Sequence, residues 1–302
     1  RRVLFRSVVN DCSPDHTTDR VRALNNPRIR IIEHKKNWGV GKAMLSGYAA
    51  AIEMGADIII KMDGDDQMDP QYLPALIEPI DSGKADYTKG NRFLHFTQLQ
   101  KMPTLRRIGN LGLTFLTKLA SGYWNIYDPT NGYTAIRAKM LQQVNPYEIS
   151  NNYFFETSML CELRIAGAVV MDIAIPARYQ GEKSSMNIGK QLFTFSINLL
   201  GHFSKRVYRL YFLYDFTAVS LYIIMGTILG VFGTIWGLIN WAKSAETLIT
   251  ASTGTVLLAV LPIILGVQFL IQAVALDIAD TPKQVNLLQP MEESIARWKA
   301  FR

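Results

Sequence analysis

The sequence predicts an α/β domain with a mostly parallel sheet, followed by an amphipathic helix and two transmembrane helices. Two observations carry this prediction. Over residues 8–91, short β-rich runs alternate with helical runs, an order that is typical of a parallel sheet. Further along the 302-residue chain, the segments 216–241 and 248–276 lack charged side chains. Each is longer than the roughly 20 residues that a transmembrane helix needs.

The alternation in the first part of the chain is regular enough to place individual elements. Strands are predicted at 8–9, 28–32 and 57–62, and helices at 17–25, 41–54 and 70–81. The third strand is apolar enough to be buried on both faces. In parallel sheets, ligands bind beyond the carboxyl ends of the strands. Asp11 and Asp63 each follow a predicted strand, so both are expected at that edge.

The second part of the domain continues with fewer and longer elements. A helix is predicted at 105–121, a polar loop at 128–132, a helix at 156–166, a strand at 169–175 and a polar segment at 181–185. Residues 188–213 alternate apolar and basic positions, which predicts an amphipathic helix on the membrane surface. A helix packed into the protein core is the alternative interpretation of this pattern.

The two uncharged segments are predicted to cross a membrane as a hairpin, because buried core helices rarely reach this length. Basic residues precede the first segment, among them Lys205, Arg206 and Arg209. The positive-inside rule then places the preceding domain and both chain ends in the cytoplasm. The predicted organisation is a soluble domain at 1–187, an interfacial helix at 188–214, two transmembrane helices within 215–277 and a cytoplasmic tail at 278–302.

Composition restricts the classes of protein and of site. The formal net charge of +7 suits an anionic partner, such as a nucleotide, a phospholipid surface or nucleic acid. Two cysteines exclude a disulfide framework or a cysteine-rich zinc site, and the four histidines lack metal-ligand spacing. No signal peptide is recognisable at residues 1–7. We expect that a first strand of the sheet is missing from this sequence.

An acidic motif follows the buried third strand: Asp63-Gly64-Asp65-Asp66-Gln67. Asp63 and Asp65 are two positions apart at the end of a strand, so both carboxylates can reach one cation. Mg²⁺ and Mn²⁺ prefer such oxygen ligands and leave coordination positions for substrate phosphates. The residues after the motif do not fit the ligand pattern of a calcium-binding EF-hand. The sequence therefore predicts a Mg²⁺ or Mn²⁺ site at Asp63 and Asp65.

Several motifs together resemble the family 2 glycosyltransferases, and especially their dolichol-phosphate mannose synthase and bacterial polyprenyl-phosphate members. The motifs, in chain order, are Asn10-Asp11-Cys12-Ser13, the glycine-containing segment 37–43, Asp63-Gly64-Asp65-Asp66-Gln67, Gly90-Asn91-Arg92-Phe93, Asp128-Pro129-Thr130-Asn131-Gly132-Tyr133 and Gly181-Glu182-Lys183-Ser184. The resemblance implies a GT-A type fold, which is Rossmann-like. This chain departs from the family in lacking the family's first strand, in Asn10 and in the order of Lys183 and Ser184.

The resemblance also implies roles for individual residues. The implied assignments are Asp65, Asp128 and Arg92 for catalysis, Asp63 and Asp65 for the metal, and Asp11, Ser13, Asp63, Gln67, Arg107, Lys183 and Ser184 for substrate binding. Asp11 would contact the base of a UDP or GDP type sugar donor, while Lys183 and Ser184 would lie near the acceptor phosphate. Glu156 and Asp128 are candidates for a base or an orienting group. A phosphate acceptor needs no base, because it is already ionised at neutral pH.

The predicted function is inverting, metal-assisted sugar transfer to polyprenyl phosphate at the cytoplasmic face of a bacterial inner membrane. A processive polysaccharide synthase is one alternative, although its Q-x-x-R-W motif is matched only by Arg297-Trp298, after the second span. An inactive nucleotide-binding scaffold is another. Nucleic-acid binding ranks last, because the basic residues cluster beside the spans.

Gly226, Gly230 and Gly233 permit close helix packing, which leaves a homo-oligomer possible.

Overall fold

The computed structural model describes residues 5–92, 104–176, 188–285 and 291–301, without the side chains of 104–110 and 188–194. The chain divides into two compact units, one formed by residues 1–206 with 282–302 and the other by residues 207–281. The first unit therefore contains most of the predicted interfacial helix and the predicted tail. The second contains the two long apolar helices.

Two sheets form in the first unit. The strands are β1 Arg6–Asn10, β2 Ile29–Glu33, β3 Ile58–Lys61, β4 Tyr87–Asn91, β5 Thr134–Arg137 and β6 Val170–Ala174. β1 pairs with β2 in parallel, and the second sheet has the order β3-β5-β4-β6. β5 is antiparallel to both of its neighbours, whereas β4 and β6 are parallel. The predicted α/β class is confirmed, but the sheet is mixed rather than mostly parallel. Neither β4 nor β5 was predicted, because neither contains a run of apolar residues long enough to mark a strand.

Ten α-helices occur in the described residues. They are α1 Thr17–Ala23, α2 Val40–Glu53, α3 Leu73–Asp81, α4 Thr104–Ser121, α5 Ala138–Leu141, α6 Phe155–Ile165, α7 Ile188–Tyr208, α8 Ala218–Thr247, α9 Thr253–Ala279 and α10 Glu292–Ala300. The main core packs α2 and α6 with the second sheet through side chains such as Leu45, Ile136 and Leu160. Burying a side chain of this kind contributes about 1.5–3 kcal/mol. This core fixes the ends of β3 and β4, where the predicted site lies.

The C-terminal helix α10 contributes to the same core. The Trp298 side chain is 2% exposed, and its indole N–H donates to the Val144 carbonyl at 3.0 Å. The Phe301 ring packs edge-on against Tyr147 at 5.1 Å. The segment after the two apolar helices therefore packs into the same unit as the segment before them, and it is not the free tail that its polar sequence suggests.

The helix α7 has features of both interpretations of its sequence pattern, the surface helix and the core-packed helix. Leu199 is buried in a cluster with Ala120 and Phe154, whereas Ile197 and Leu200 on the same helix are exposed. Arg206, expected on the basic face, is instead fully buried.

The buried Arg206 guanidinium forms hydrogen bonds with the end of another helix. Its Nε and Nη2 donate to the carbonyls of Ala120 and Leu119, at 2.9 and 3.0 Å. These carbonyls lie in the last turn of α4, where backbone acceptors lack helical partners. The expectation that Arg206 faces a membrane surface is therefore wrong, because the end of α4 requires its hydrogen bonds.

The second unit is a pair of closely packed helices. α8 and α9 are both long and apolar enough to cross a membrane. A Cβ atom added at Gly233 would lie 2.6 Å from the Ala259 carbonyl oxygen, and one at Gly226 would lie 2.9 Å from that of Gly266. The glycines predicted to form a packing face thus allow these two helices to approach each other closely.

We predict that Gly233→Ala destabilises this helix pair, because the added methyl group overlaps the backbone of α9. Overpacking of this kind costs about 1–3 kcal/mol. Gly230→Ala is the matched control, since a Cβ there has no heavy atom within 4 Å. Thermal unfolding of both variants in detergent should show a lower melting temperature for Gly233→Ala only. Equal melting temperatures would contradict the close packing.

Candidate active site

A buried lysine lies at the centre of the candidate site. Lys61 ends β3, its side chain is 2% exposed, and its Nζ lies 3.1 Å from Asp63 Oδ1 and 3.0 Å from Glu156 Oε1. Burial alone would lower the pKa of Lys61, but the carboxylates of Glu156 and Asp63 outweigh it and raise this pKa above its usual value. The ammonium is therefore charged, and it ties Asp63 to α6.

The turn after β3 presents the acidic motif to solvent. Asp65 is exposed, and its Oδ1 accepts the backbone N–H of Gln67 at 3.1 Å. Asp66 has a positive φ of 59°, a conformation that Asp tolerates better than most residues. This tight turn places the side chains of Asp63, Asp65 and Gln67 around one cavity.

Arg92, at the end of β4, is held by a buried carboxylate. Its Nε and Nη2 lie 2.8 and 3.1 Å from the two carboxylate oxygens of Asp128, and its backbone N–H also donates to Asp128. Asp128 is fully buried, whereas the Arg92 side chain remains one-third exposed. Of the two roles considered for Asp128, base or orienting group, this geometry favours the orienting role.

The cavity between these elements has a volume of about 160 Å³. It is lined by Asp63, Asp65, Gln67, Met68, Arg92, Thr130, Asn131, Gly132, Tyr133, Ile175 and Pro176. Four predicted site residues therefore meet here, two of them acidic and one a cation. In the described part of the chain, no three or more His, Cys, Asp or Glu side chains are grouped so that they could hold a metal ion. A cation held by Asp63 and Asp65 would thus complete its coordination with water or substrate oxygens.

Gly132 allows the loop after Asp128 to close over β3. A Cβ atom at this position would overlap Lys61 Nζ and would lie 2.8 Å from Asp63 Oδ2. The next residue, Tyr133, donates its backbone N–H to the side chain of Asn131 at 2.9 Å. The loop 128–132 therefore forms a wall of the cavity in direct contact with the acidic motif.

The Asp11 turn is a separate arrangement. The Asp11 carboxylate accepts the backbone N–H groups of Trp38 and Gly39 and contacts His34 Nδ1 at 2.6 Å. Burial opposes ionisation, yet these hydrogen bonds hold the pKa of Asp11 below its usual value. Ser13 donates its backbone N–H to the Asn10 side chain at 2.8 Å. Neither Asp11 nor Ser13 lines the cavity around Asp63, and a contact with the nucleotide base stays a prediction for both.

Three predicted residues lie outside the described part of the site. The backbone of Arg107 belongs to α4, but its side chain is outside the described residues, as are Lys183 and Ser184.

Sequence reasoning missed two residues next to the cavity wall, the buried Lys89 and the half-buried Asp172. Lys89 Nζ donates to the Asn131 carbonyl, and Asp172 accepts the Tyr127 backbone N–H at 2.8 Å. The sequence signal that could have identified Lys89 and Asp172 was the presence of a charged residue within a short strand.

Comparison with known proteins shows what this chain is similar to. Residues 7–144 match the model described as Glycosyl transferase family 2. A UDP-N-acetylglucosamine–dolichyl-phosphate N-acetylglucosaminyltransferase from Methanococcus voltae is 35% identical over 115 residues, which are 38% of this chain and 45% of that protein. An undecaprenyl-phosphate mannosyltransferase from Micrococcus luteus is 29% identical over 171 residues, covering 56% of this chain and 69% of that one. The predicted resemblance is thus confirmed.

Solved structures include a distant neighbour. The crystal structure of glucosyl-3-phosphoglycerate synthase from Mycobacterium tuberculosis, in complex with uridine diphosphate, aligns with a TM-score of 0.46 at 18% identity. The alignment covers 66% of this chain and 68% of that chain.

We predict that Gly132→Ala weakens Mn²⁺ binding in the presence of pyrophosphate by about tenfold or more, because the methyl group displaces Lys61 and Asp63. The matched control is Gly64→Ala, in the same acidic motif, where an added Cβ has no heavy atom within 4 Å. Isothermal titration calorimetry of both variants measures the effect. Equal affinities would show that the loop wall does not position Asp63.

Proposed function

We propose that the protein transfers a sugar from a UDP or GDP type nucleotide-sugar to polyprenyl phosphate, because residues 7–144 match the Glycosyl transferase family 2 model. The observation that carries the proposal is the single cavity that brings together Asp63, Asp65 and Arg92. Carboxylates for a metal–diphosphate complex and a guanidinium for a phosphate are the groups that this reaction needs. The named relatives act on dolichyl or undecaprenyl phosphate, which supports the choice of acceptor.

Asp63 and Asp65 would bind the donor through a divalent cation. Mg²⁺ or Mn²⁺ would neutralise the charge that develops on the departing nucleoside diphosphate. Lys61 fixes the orientation of the Asp63 carboxylate, and the Gln67 backbone N–H fixes that of Asp65. The chain therefore supplies two oriented carboxylates, while water and the diphosphate would supply the remaining ligands.

The acceptor would be positioned by cations and would need no protein base. The second pKa of a phosphate monoester is about 6, so the acceptor is largely a dianion near neutral pH. Glu156 and Asp128, the two candidate bases, are each ion-paired, with Lys61 and Arg92 respectively. The Arg92 guanidinium is held by Asp128 with a partly exposed side chain, an orientation suited to a phosphate oxygen. Direct attack by such an oxygen on the sugar carbon would invert that centre.

The proposed location is the cytoplasmic face of a bacterial inner membrane. Residues 1–206 and 282–302 both belong to the first unit, so an even number of membrane crossings would separate them. The basic residues before α8 support the cytoplasmic side for that unit. A processive synthase is less well supported, because Trp298 of its only R-W pair is buried in the hydrophobic core.

We predict that Asp65→Asn lowers sugar transfer by about 100-fold or more, since one of two metal-binding carboxylates is lost. Asp66→Asn is the matched control, because Asp66 is exposed, does not line the cavity, and Asn tolerates its positive φ. The assay uses the full chain in detergent with radiolabelled UDP- and GDP-sugars, undecaprenyl phosphate and Mn²⁺ or Mg²⁺. Label transferred to the lipid fraction identifies the donor.

Two results would contradict the proposal. Transfer that is equally fast in wild type and Asp65→Asn would remove the acidic motif from the reaction. Nucleotide binding that is indifferent to Asp65, without transfer from any donor, would favour a nucleotide-binding scaffold.

A further inference from the structure

Two oppositely charged residues face each other beneath the cavity wall. Lys89 on β4 and Asp172 on β6 are register partners in the parallel strand pair, and Lys89 is fully buried. The Lys89 ammonium donates to the Asn131 carbonyl, and Asp172 Oδ2 accepts the N–H of Tyr127 at 2.8 Å. Asp172 also accepts the Asn91 side-chain amide at 2.7 Å. Both residues therefore hold the loop 127–132 through hydrogen bonds to Asn131 and Tyr127.

That segment connects the buried pair to the cavity. Its outer side contributes Thr130, Asn131 and Gly132 to the cavity wall. Its Asp128 holds the Arg92 guanidinium with two hydrogen bonds. We propose that Lys89 and Asp172 are positioning residues that fix loop 127–132, and through Asp128 the Arg92 guanidinium, where the substrate phosphates bind. This inference rests on the proposed function.

The cost of burying both groups argues against a purely structural role. Burial lowers the pKa of Lys89 to about 8 and raises that of Asp172 to about 6. The raised pKa of Asp172 makes the folded state less stable as the pH rises from the unfolded-state pKa of this residue to about 6. The lowered pKa of Lys89 also destabilises the folded state, and this destabilisation is removed only as the pH rises above about 8. Both charged forms thus destabilise the fold at neutral pH. In addition, Asp172 Oδ1 has no hydrogen-bond partner in the described residues.

The charge state of this pair gives the site a defined pH window. Lys89 faces Glu156, Asp128 and Asp172, which stabilise its ammonium, and Lys61, which opposes it. Asp172 is also within electrostatic reach of Lys118 on α4. Lys89 is protonated below about 8, and Asp172 is ionised above about 6. The loop is therefore held by two charged groups between these values.

The test compares Lys89→Met with Arg137→Met in the full-length protein in detergent. Arg137 is the matched control, because its loss also leaves buried groups without a cation, but at the opposite end of the sheet: it donates to the carbonyls of Ile80 and Ala85 and pairs with the buried Asp86 at 3.4 Å. Hydrogen exchange of the amides in 127–133 should become faster in Lys89→Met only. The melting temperature should fall in both variants, because in Lys89→Met the buried Asn131 carbonyl loses its donor and the nearby carboxylates lose a cation. The KM for donor or acceptor should rise by about tenfold, with a smaller change in kcat.

Asp172→Asn provides a second variant if Lys89→Met does not fold, and it should also accelerate exchange in the loop and flatten the pH profile of KM near 6. Unchanged exchange in both variants would overturn the proposal, as would equal acceleration in Arg137→Met. Faster exchange with unchanged kinetics would separate the loop from substrate binding and would also overturn it. If the wild type transfers no sugar, the proposed function fails, while the exchange data still decide whether the pair holds the loop.

Discussion

The buried ammonium of Lys61 is the interaction on which the candidate site depends. It lies between Asp63 and Glu156, and it joins the end of β3 to α6 and to the loop that contains Gly132. A buried charge is stable only when oppositely charged groups surround it, so its presence constrains all three elements. The Asp63 carboxylate, which we propose as a metal ligand, is thereby held by the protein itself, which lowers the cost of ordering it.

The same arrangement recurs around the cavity with different residues. Arg92 is held by a fully buried Asp128, and the loop that contains Asp128 is held by Lys89 through the Asn131 carbonyl. Each charged side chain at the surface of the site is thus supported by a buried one of opposite charge or by a backbone group. Such support keeps a polar site rigid in a region where strands end and the backbone would otherwise be mobile.

The sequence was sufficient for the elements with a clear period or a local motif. The strand before Asp63 and the helices α8 and α9 follow from apolar runs, and the turn that gathers Asp63, Asp65 and Gln67 follows from its motif. β5 could not be predicted, because its hydrogen bonds connect residues far apart in the chain. The roles of Lys61, Lys89 and Arg206 were missed for a related reason. A charged residue is buried only when distant partners compensate it, and no local pattern records those partners.

The position of Trp298 has a consequence for how the protein is made. This core residue follows both apolar helices in the chain, so it leaves the ribosome only after they have been synthesised. At about 5–20 residues per second, the interval between Arg206 and Trp298 lasts roughly 5–20 seconds. During that time the domain lacks a side chain of its hydrophobic core. Completion of the first unit therefore waits for the synthesis of α8 and α9, and a ribosome that stalls within these helices leaves an incomplete domain.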